Sequence, residues 1–348
     1  MYIYTDGVVE FAECDMPFVK KFGLVDATNM VLDYCSVNST PFIYDAHQLA
    51  DFFIISPKKL FSTVRNADDM YFINSIPKSD GSERQLQVPH SFLKSLQTRI
   101  LKHILYEIPV SKYATAYKPH AKLVDNALPH VNRKYVLKMD ITDFFGSITF
   151  TKVYSEVFNT TRFPKQVGTM LTTLCCYREY LPQGSPTSPA ISNIVMKRFD
   201  NYIGDWCEKR GIAYTRYCDD MTFSSDKPLY YVYKKVSKML EDMGFEVNEK
   251  KTHFISDASR QTVTGLTVND KIAVPKQVKR KLRQELYYAR KFGLYDALMH
   301  SGDERFFSEG RPDTFRYFCY LIGKASYIVQ VEPDNEWFRN AFNYLKNY

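Results

Sequence analysis

The stretch RYCDDMTF, residues 216–223, places the carboxylates of Asp219 and Asp220 side by side between two short runs that read as the strands of a hairpin. The flanking residues are mostly aromatic or apolar, which indicates a buried hairpin rather than a solvated turn: Tyr217, Cys218, Met221 and Phe223. Two buried carboxylates raise each other's pKa unless cations neutralise them. Hard divalent cations such as Mg²⁺ take carboxylate oxygens as ligands, and two ions ~4 Å apart can clamp both reacting oxygens of a phosphoryl transfer. The stretch therefore predicts a site for divalent cations.

A second acidic position precedes the hairpin in the chain. The segment YVLKMDITDFF, residues 135–145, reads as an apolar strand ending at Asp140, with Asp143 three residues further on. Taken alone, Asp140 is equally compatible with a helix cap or a turn. Together with the acid pair, it predicts a third carboxylate that shares metal ions with Asp219.

The third informative stretch is LPQGSPTSPAISN, residues 181–193. Its prolines and glycine prevent a continuous helix at its start. A helix is predicted to begin near Ser188 and Pro189, with Ser188 as the cap, and its exposed N–H groups would suit a phosphate or a nucleotide sugar. An ordinary proline-rich loop is the alternative.

The composition is that of a globular protein of 348 residues, with 45% hydrophobic and 24% charged residues and a formal net charge of +7. Helical spacing and short strands alternate irregularly along the chain, which predicts an α+β fold. Seven cysteines without a CxxC pair argue against a disulfide framework or a zinc site and favour a reducing cytoplasm. We expect neither a signal peptide nor a membrane helix, because the N-terminus carries early acids and no long apolar run occurs.

The order of these three stretches resembles that of reverse transcriptases, in which an acid-bearing strand with two aromatics is followed by QGSPxSPxxSN and then by YxDD. The segment GFEVNEKKT, residues 244–252, is similar to the fourth motif of the same family. The resemblance implies a right-hand polymerase with an antiparallel palm sheet. It implies these domains: residues 1–40 as a segment of unknown role, 41–134 as fingers, 135–274 as palm with fingers/palm helices at 146–182, and 275–348 as a helical RNA-binding thumb. We expect no RNase H or endonuclease domain within residues 275–348, because a helical thumb would occupy most of them.

The resemblance also implies a role for individual residues. Asp140, Asp219 and Asp220 would be the catalytic carboxylates, and with the Ile141 backbone they would hold two Mg²⁺ ions. Nucleotide binding would fall to the following residues: Lys78 and Arg84 on the triphosphate, Phe144 and Phe145 at the sugar, Gln183 against the incoming nucleotide, and Lys251 as a proton donor to pyrophosphate. Taken alone, Lys78 and Arg84 are equally compatible with solvated turn charges.

Two shorter motifs resemble those of bacterial retron reverse transcriptases. Asn126 and His130 form NAxxH ahead of the first acidic strand, and Val263, Thr264 and Gly265 form VTG after the fourth motif. This likeness implies that a structured non-coding RNA serves as both primer and template, and that a guanosine 2′-OH starts a branched multicopy single-stranded DNA. It implies dNTPs as substrates, the five motif residues as RNA-binding, and anti-phage defence with a separate effector protein.

A basic helix is predicted over residues 276–291, which contain seven Lys or Arg residues and one Glu. Val278, Leu282 and Leu286 recur every four residues and form one apolar face. The cationic remainder would lie along RNA phosphates, and a solvated amphipathic helix is the alternative. The residues predicted to bind RNA here are Lys276, Lys279, Arg280, Lys281 and Arg283.

Three other assignments are weighed against the retron interpretation. A group II intron-like or abortive-infection reverse transcriptase lacks the support of NAxxH and VTG. An RNA-dependent RNA polymerase is disfavoured by the bulk of Phe145. A non-catalytic RNA-binding protein that keeps the fold would have no reason to retain three mutually repelling acids.

Overall fold

The computed structural model describes residues 3–5, 8–10, 16–37, 40–77, 81, 83–308 and 310–347. The chain divides into two compact units. Unit 1 comprises residues 1–121, 138–221 and 230–252, and unit 2 comprises residues 122–137, 222–229 and 253–348. These units do not follow the borders of the expected fingers, palm and thumb, so that division stays a prediction.

The described strands are β1 Ile3–Thr5, β2 Val8–Glu10, β3 Tyr71–Pro77, β4 Glu83–Pro89, β5 Tyr135–Thr142, β6 Ala213–Tyr217, β7 Asp220–Ser225, β8 Glu246–Val247, β9 His253–Ser256, β10 Thr262–Val263, β11 Leu266–Thr267, β12 Phe307–Ser308 and β13 Arg311–Pro312. The described helices are α1 Met16–Phe22, α2 Leu24–Val37, α3 Ala46–Phe53, α4 Pro57–Arg65, α5 Ser91–His103, α6 Leu123–Ala127, α7 Phe150–Glu156, α8 Lys165–Cys175, α9 Ser188–Val195, α10 Lys197–Glu208, α11 Tyr230–Asp242, α12 Lys276–Ser301, α13 Thr314–Val331 and α14 Glu336–Lys346.

The central sheet has the strand order β6-β7-β5-β8, and β9 also pairs with β5. Strands β5 and β8 are antiparallel, with Ile141 opposite Val247. Strands β6 and β7 are joined by only two residues, and such a short connection is possible only between antiparallel neighbours. Helices and antiparallel strands are therefore mixed as the sequence predicts, and the α+β class is confirmed.

Two predicted helix starts have different outcomes. Helix α4 begins as expected, because Ser56 Oγ accepts a hydrogen bond from Lys59 N and Pro57 occupies the first turn. At α9 the predicted cap is wrong by one residue: Thr187 is the N-cap, and Ser188 Oγ donates to the Pro182 carbonyl at 2.7 Å. Thr187 and Ser188 are both buried. This helix start therefore does not expose the N–H groups that we expected to meet a phosphate.

Unit 2 has its own hydrophobic core, built largely from helices α12, α13 and α14. The predicted apolar face of α12 is confirmed, since Leu282 and Leu286 are buried in this core and Val278 packs against it. Ala127 of α6 and Val263 of β10 lie in the same core. The helix is longer than predicted and kinks at Gly293, whose φ of +87° is not helical.

Candidate active site

The three aspartates lie on two structural elements of unit 1. Asp140 is near the end of β5 and is buried, Asp219 closes the β6–β7 turn, and Asp220 is the first residue of β7. The turn requires Cys218 to adopt a left-handed backbone with φ of +63°. We call Asp140, Asp219 and Asp220 the acid cluster.

The acids of this cluster repel one another, as their pKa values show. Burial and then the charge of Asp140 raise the pKa of Asp219. Burial, followed by the charges of Asp219 and Asp140, raises the pKa of Asp220 to about 6, against the opposing charges of Lys138 and Lys251. The cluster therefore holds more negative charge than its surroundings neutralise.

Lys251 provides part of the missing positive charge. Its Nζ donates to both Asp140 oxygens, at 2.9 Å to Oδ2 and 3.1 Å to Oδ1. Burial opposes the charge on this lysine, but Asp140 and the other two aspartates outweigh it and raise its pKa. The Asp140 carbonyl accepts from Asn248 N at 2.8 Å, which fixes the segment between β8 and Lys251 beside the acid.

The acid cluster fits divalent cations by its chemistry. Within the described ranges, no group of three or more His, Cys, Asp or Glu side chains is arranged as a ready-made metal site. The cluster nevertheless offers only carboxylate oxygens, which suit Mg²⁺, and its raised pKa values mark charge that a cation would neutralise. Which oxygens would hold the ions, including the predicted Ile141 carbonyl, stays a prediction.

A buried ion pair supports the acid-bearing turn, and sequence reasoning missed it. Arg216 Nη2 lies 2.6 Å from Asp200 Oδ2, and both side chains are fully buried. Arg216 Nη1 donates to the Cys218 carbonyl at 2.8 Å, and Tyr214 Oη donates to Asp200 Oδ1. The pair thus ties the strained residue before Asp219 to helix α10. Arg216 stands in the stretch that opened the sequence argument, but nothing there identified Asp200 as its partner.

The two aromatics after Asp140 are in different environments. Phe144 is buried, with its ring 5.5 Å from Phe145 and 5.8 Å from Phe245. Phe145 is half-buried. The expected contact of Phe144 with a nucleotide is therefore not supported, because its ring packs inside the protein and backs Phe145. A side chain at Gly146 would displace the Asp143 carboxylate from its present position.

The loop before α9 is held by Gln87 and Gln97, two glutamines that lie outside residues 181–193. Gln183 N donates to Gln87 Oε1 at 3.0 Å, and a Cβ at Gly184 would lie 2.7 Å from the Gln87 carbonyl oxygen. Ser185 Oγ donates to Gln97 Oε1, and Gln97 Nε2 donates to the Leu174 carbonyl. The loop is therefore tied to β4 and α5, and Gln183 is half-buried beside β4.

Of the two cations expected at the triphosphate, only Arg84 can be placed. It is exposed on β4, opposite Ile76 of β3. Lys78 lies outside the described residues. Their roles stay predictions.

The NAxxH and VTG residues meet in unit 2, and we call Asn126, His130, Val263, Thr264 and Gly265 the motif cluster. Asn126 Nδ2 donates to Thr264 Oγ1 at 3.4 Å. Thr264 and Gly265, with φ of +45° and +81°, form the two-residue turn between β10 and β11, and positive φ at both positions is typical of a type I′ hairpin. Asn126, His130 and Val263 are buried. Direct RNA contact by these three side chains is therefore not supported. Asn126 instead holds the hairpin turn through Thr264, and Val263 is part of the hairpin itself.

His130 is a neutral hydrogen-bonding residue inside unit 2. Its Nδ1 lies 2.7 Å from Ser224 Oγ of β7. Burial, and to a lesser extent the charge of Arg133, lowers the pKa of His130 to about 3. The ring therefore stays uncharged at neutral pH.

The basic helix presents only some of its expected cations to solvent. Lys276, Arg280, Lys281 and Arg283 are exposed. Lys279 is not: its Nζ lies 2.7 Å from Glu332 Oε1, and both side chains are largely buried. Lys279 therefore joins α12 to the end of α13, and its expected role in RNA binding is not supported. The Arg283 guanidinium lies 5.3 Å from the centre of the Trp337 ring.

Comparisons with known proteins agree with this architecture. The family described as reverse transcriptase (RNA-dependent DNA polymerase) matches residues 76–281. The retron Ec86 reverse transcriptase of Escherichia coli is 30% identical over 258 residues, which cover 71% of this chain and 79% of that protein. The retron Mx65 reverse transcriptase of Myxococcus xanthus is 34% identical over 285 residues, 76% of this chain and 62% of that protein. Among solved structures, a telomerase from Candida albicans aligns with 80% of this chain and with 63% of its own chain, at 12% identity. The TM-score of 0.44 is too low to support a conclusion.

The acid-bearing antiparallel sheet and the family match together define a template-dependent polymerase. The chain belongs to the reverse transcriptases, which are RNA-directed DNA polymerases, and among them to the retron enzymes of bacteria. The predicted right-hand polymerase fold is thereby confirmed. In the part of the chain that the structure describes, none of the helices has the length and apolar character needed to span a bilayer.

Proposed function

We propose that this reverse transcriptase copies its own structured non-coding RNA into branched multicopy single-stranded DNA, starting from a guanosine 2′-OH of that RNA. Two lines support the proposal: the relatives that share 30% and 34% identity are retron enzymes, and both short motifs of that group lie together in unit 2. In the first step the 2′ oxygen forms a bond to the α-phosphorus of a dNTP, and pyrophosphate leaves. Each later step uses the 3′-OH of the growing DNA.

The observation that carries the proposed chemistry is the mutual repulsion within the acid cluster. Asp140, Asp219 and Asp220 would hold two Mg²⁺ ions, which when bound stabilise the charge on the attacking and leaving oxygens. A fold without catalytic use for this charge would gain by replacing one of the acids. The Arg216–Asp200 pair keeps the turn in register, so the acids stay close together in spite of their repulsion.

The other expected site residues would position the nucleotide. Phe145 would close the space that a ribose 2′-OH needs, Gln183 would contact the incoming base, and Arg84 with Lys78 would bind the triphosphate. Lys251 would transfer a proton to the departing pyrophosphate, and its hydrogen bond to Asp140 and its raised pKa support this role. Lys250, its neighbour, has no such contact with the acids among the described hydrogen bonds.

The proposed function also includes a cellular compartment and a biological role. The described cysteines are free thiols, which fits a reducing bacterial cytoplasm: Cys35, Cys175, Cys176, Cys207, Cys218 and Cys319. We propose a role in anti-phage defence with a separate effector protein, as the retron family implies. Phage plaquing on cells with and without the active locus tests that role, and equal plaquing would contradict it.

The experiment that tests the proposed product is sequencing of the nucleic acids that co-purify with the protein. We expect a DNA strand covalently joined to RNA, which a 2′,5′-debranching enzyme separates into two linear pieces. Linear DNA with no RNA attached would instead indicate an intron-like or abortive-infection enzyme. RNA without any DNA would indicate that the chain only binds RNA.

A further inference from the structure

Helices α12 and α13 of unit 2, in the region expected to be the thumb, line an open cavity that the proposed chemistry does not use. It has a volume of about 350 Å³, at the lower end of the roughly 300–1,000 Å³ that small-ligand pockets occupy. Its apolar wall includes Leu282 of α12, and its polar lining includes Lys281, Glu285, Arg305 and Lys324. We call it the thumb cavity.

Glu285 is a buried acceptor in this cavity whose hydrogen-bonding capacity is unused. Its side chain is only 10% exposed, and Oε1 lies 3.8 Å from Lys281 Nζ, too far for a hydrogen bond. Within the described residues, Oε2 has no hydrogen-bond partner. Burial raises the pKa of Glu285, because a low-dielectric site disfavours the charged form. A buried unsatisfied acceptor is destabilising, so its presence requires an explanation.

A second buried polar atom without a hydrogen-bond partner among the described residues lies on α13 of unit 2. Tyr317 is 1% exposed, and its Oη has no hydrogen-bond partner in the described structure. Burial and then the charge of Glu285 raise the pKa of Tyr317. Glu285 lines the thumb cavity and Tyr317 does not, so the carboxylate of Glu285 is the group that a ligand in the cavity would meet.

The cations of the cavity suit a phosphate. The Lys281 and Arg305 side chains are 65% and 62% exposed, so they lie at the rim, whereas Glu285 lies deeper. Arg305 stacks on Tyr320 with its guanidinium carbon 5.4 Å from the ring centre, but its charge is paired with Asp303. Lys324 approaches the same ring at 5.6 Å. A rim of cations and a deep carboxylate match a molecule with an anionic end and an end that donates hydrogen bonds.

Among RNA nucleotides, only guanosine offers a carboxylate two adjacent donors. Guanine presents N1–H and N2–H on its Watson–Crick edge, one for each carboxylate oxygen, whereas uracil presents one N–H. Adenine and cytosine place a ring-nitrogen acceptor beside their amino group, and that lone pair would face the carboxylate. We propose that the thumb cavity binds the base of an unpaired guanosine in the partner RNA, with Glu285 accepting from its Watson–Crick edge and Lys281 and Lys324 contacting the adjoining phosphates. The proposal rests on the proposed function in that the ligand is RNA.

The test measures which base the full-length protein prefers. The probes are single-stranded nonamers of uridine with one central guanosine, inosine or adenosine, and inosine lacks the N2 amino group. We expect guanosine to bind about tenfold more tightly than adenosine, with inosine between them, because a bidentate pair discriminates by roughly 1–3 kcal/mol. Equal binding of all three nonamers by the unmodified protein would overturn the proposal without any variant.

Variants then assign the preference to Glu285. Glu285→Gln should bring the guanosine-to-adenosine ratio to within about twofold of one, because an amide offers one acceptor and one donor. Glu304→Gln, at an exposed acid outside the cavity lining, is the matched control and should keep the full ratio. A guanosine preference unchanged by Glu285→Gln would place the recognition elsewhere and reject the thumb cavity.

A separate assay distinguishes this inference from the proposed function. Extension of an annealed DNA primer on an RNA template depends on the acid cluster and not on base recognition in the thumb cavity. If extension occurs but the guanosine preference is absent, the cavity proposal fails and the polymerase stands. If extension is absent as well, the proposed function fails with it.

Discussion

The acid cluster and the motif cluster were both identified from short sequence motifs, yet their physical environments are opposite. In the acid cluster, burial and mutual repulsion raise the pKa of Asp219 and Asp220, so charge remains to be neutralised. In the motif cluster, Asn126 bonds to Thr264 and His130 bonds to Ser224 inside a hydrophobic core. The acid cluster is destabilised in the absence of a ligand, whereas the polar groups of the motif cluster find their hydrogen-bond partners within the protein.

The difference shows how the residues of a short motif can be separated into those that act on a substrate and those that position other groups. A group that acts on a substrate keeps capacity that the fold leaves unused, such as uncompensated charge or an open acceptor. A group that shapes the fold instead uses its charge or hydrogen-bonding atoms in contacts within the protein. By this criterion the acid cluster carries the reaction, and the motif cluster sets the conformation of the β10–β11 turn.

The largest expected effect comes from the acid cluster. We expect Asp219→Asn or Asp220→Asn to reduce DNA synthesis by at least about a thousandfold, because each change removes a charged metal ligand. RNA binding and thermal stability should be retained, since the change relieves repulsion. Primer extension and RNA affinity measured on one preparation check both expectations. Near-normal extension by either purified variant would remove the basis for the metal assignment.

The second effect concerns sugar selection next to the acid cluster. We expect Phe145→Ala to raise the ratio of rNTP to dNTP incorporation by about tenfold or more, because the ring occupies space that a 2′-OH needs. Phe315→Ala, at an exposed aromatic in unit 2, is the control and should leave the ratio unchanged. An unchanged ratio in Phe145→Ala would mean that another residue forms the gate.

The third effect separates exposed from buried cations on α12. We expect the double variant Lys276→Glu, Arg280→Glu to weaken RNA binding and to lower the log–log salt slope by up to about 0.9 for each lost phosphate contact. Lys279→Gln is the matched comparison: losing its contact with Glu332 should lower the free energy of unfolding by about 1–3 kcal/mol and leave the slope unchanged. A slope that changes only in Lys279→Gln would reverse our assignment.

The fourth effect is the pH dependence that His130 gives to folding. Its folded pKa of about 3 lies below the unfolded value of about 6.5, so the unfolded chain binds the extra proton first as the pH falls. The stability from the neutral ring is complete above pH ~6.5 and is lost progressively between there and pH ~3. Between pH 7.5 and 5.5 this amounts to about 1.4 kcal/mol, which His130→Gln should abolish. Urea unfolding of both proteins at the two pH values measures it, and equal losses would show that His130 does not titrate as described.

Sequence reasoning reached the strands and helices that carry the motifs because these depend on local pattern. The hairpin at 216–223, the strand before Asp140 and the start of α4 are all set by alternation, turn residues or caps. It could not reach partners that are distant in the chain. Asp200 beside Arg216, Gln97 beside Ser185 and Glu332 beside Lys279 are tertiary contacts, and no local pattern marks them. The burial of Phe144 and of His130 was missed for the same reason.

The central claim is that polymerisation and self-priming are served by different regions, and one pair of variants in the motif cluster tests it most directly. Thr264→Val removes the hydroxyl that accepts from Asn126 and keeps the side-chain shape, whereas Thr264→Ser keeps the hydroxyl. Each protein is assayed for synthesis on its partner RNA and for extension of an annealed DNA primer. We predict that Thr264→Val loses self-primed synthesis, that Thr264→Ser keeps it, and that both extend the annealed primer within about threefold of the unmodified enzyme, a loss well under the 1.4 kcal/mol of a tenfold change. If both activities of Thr264→Val fall together, or if neither falls, the separation of the two regions is contradicted.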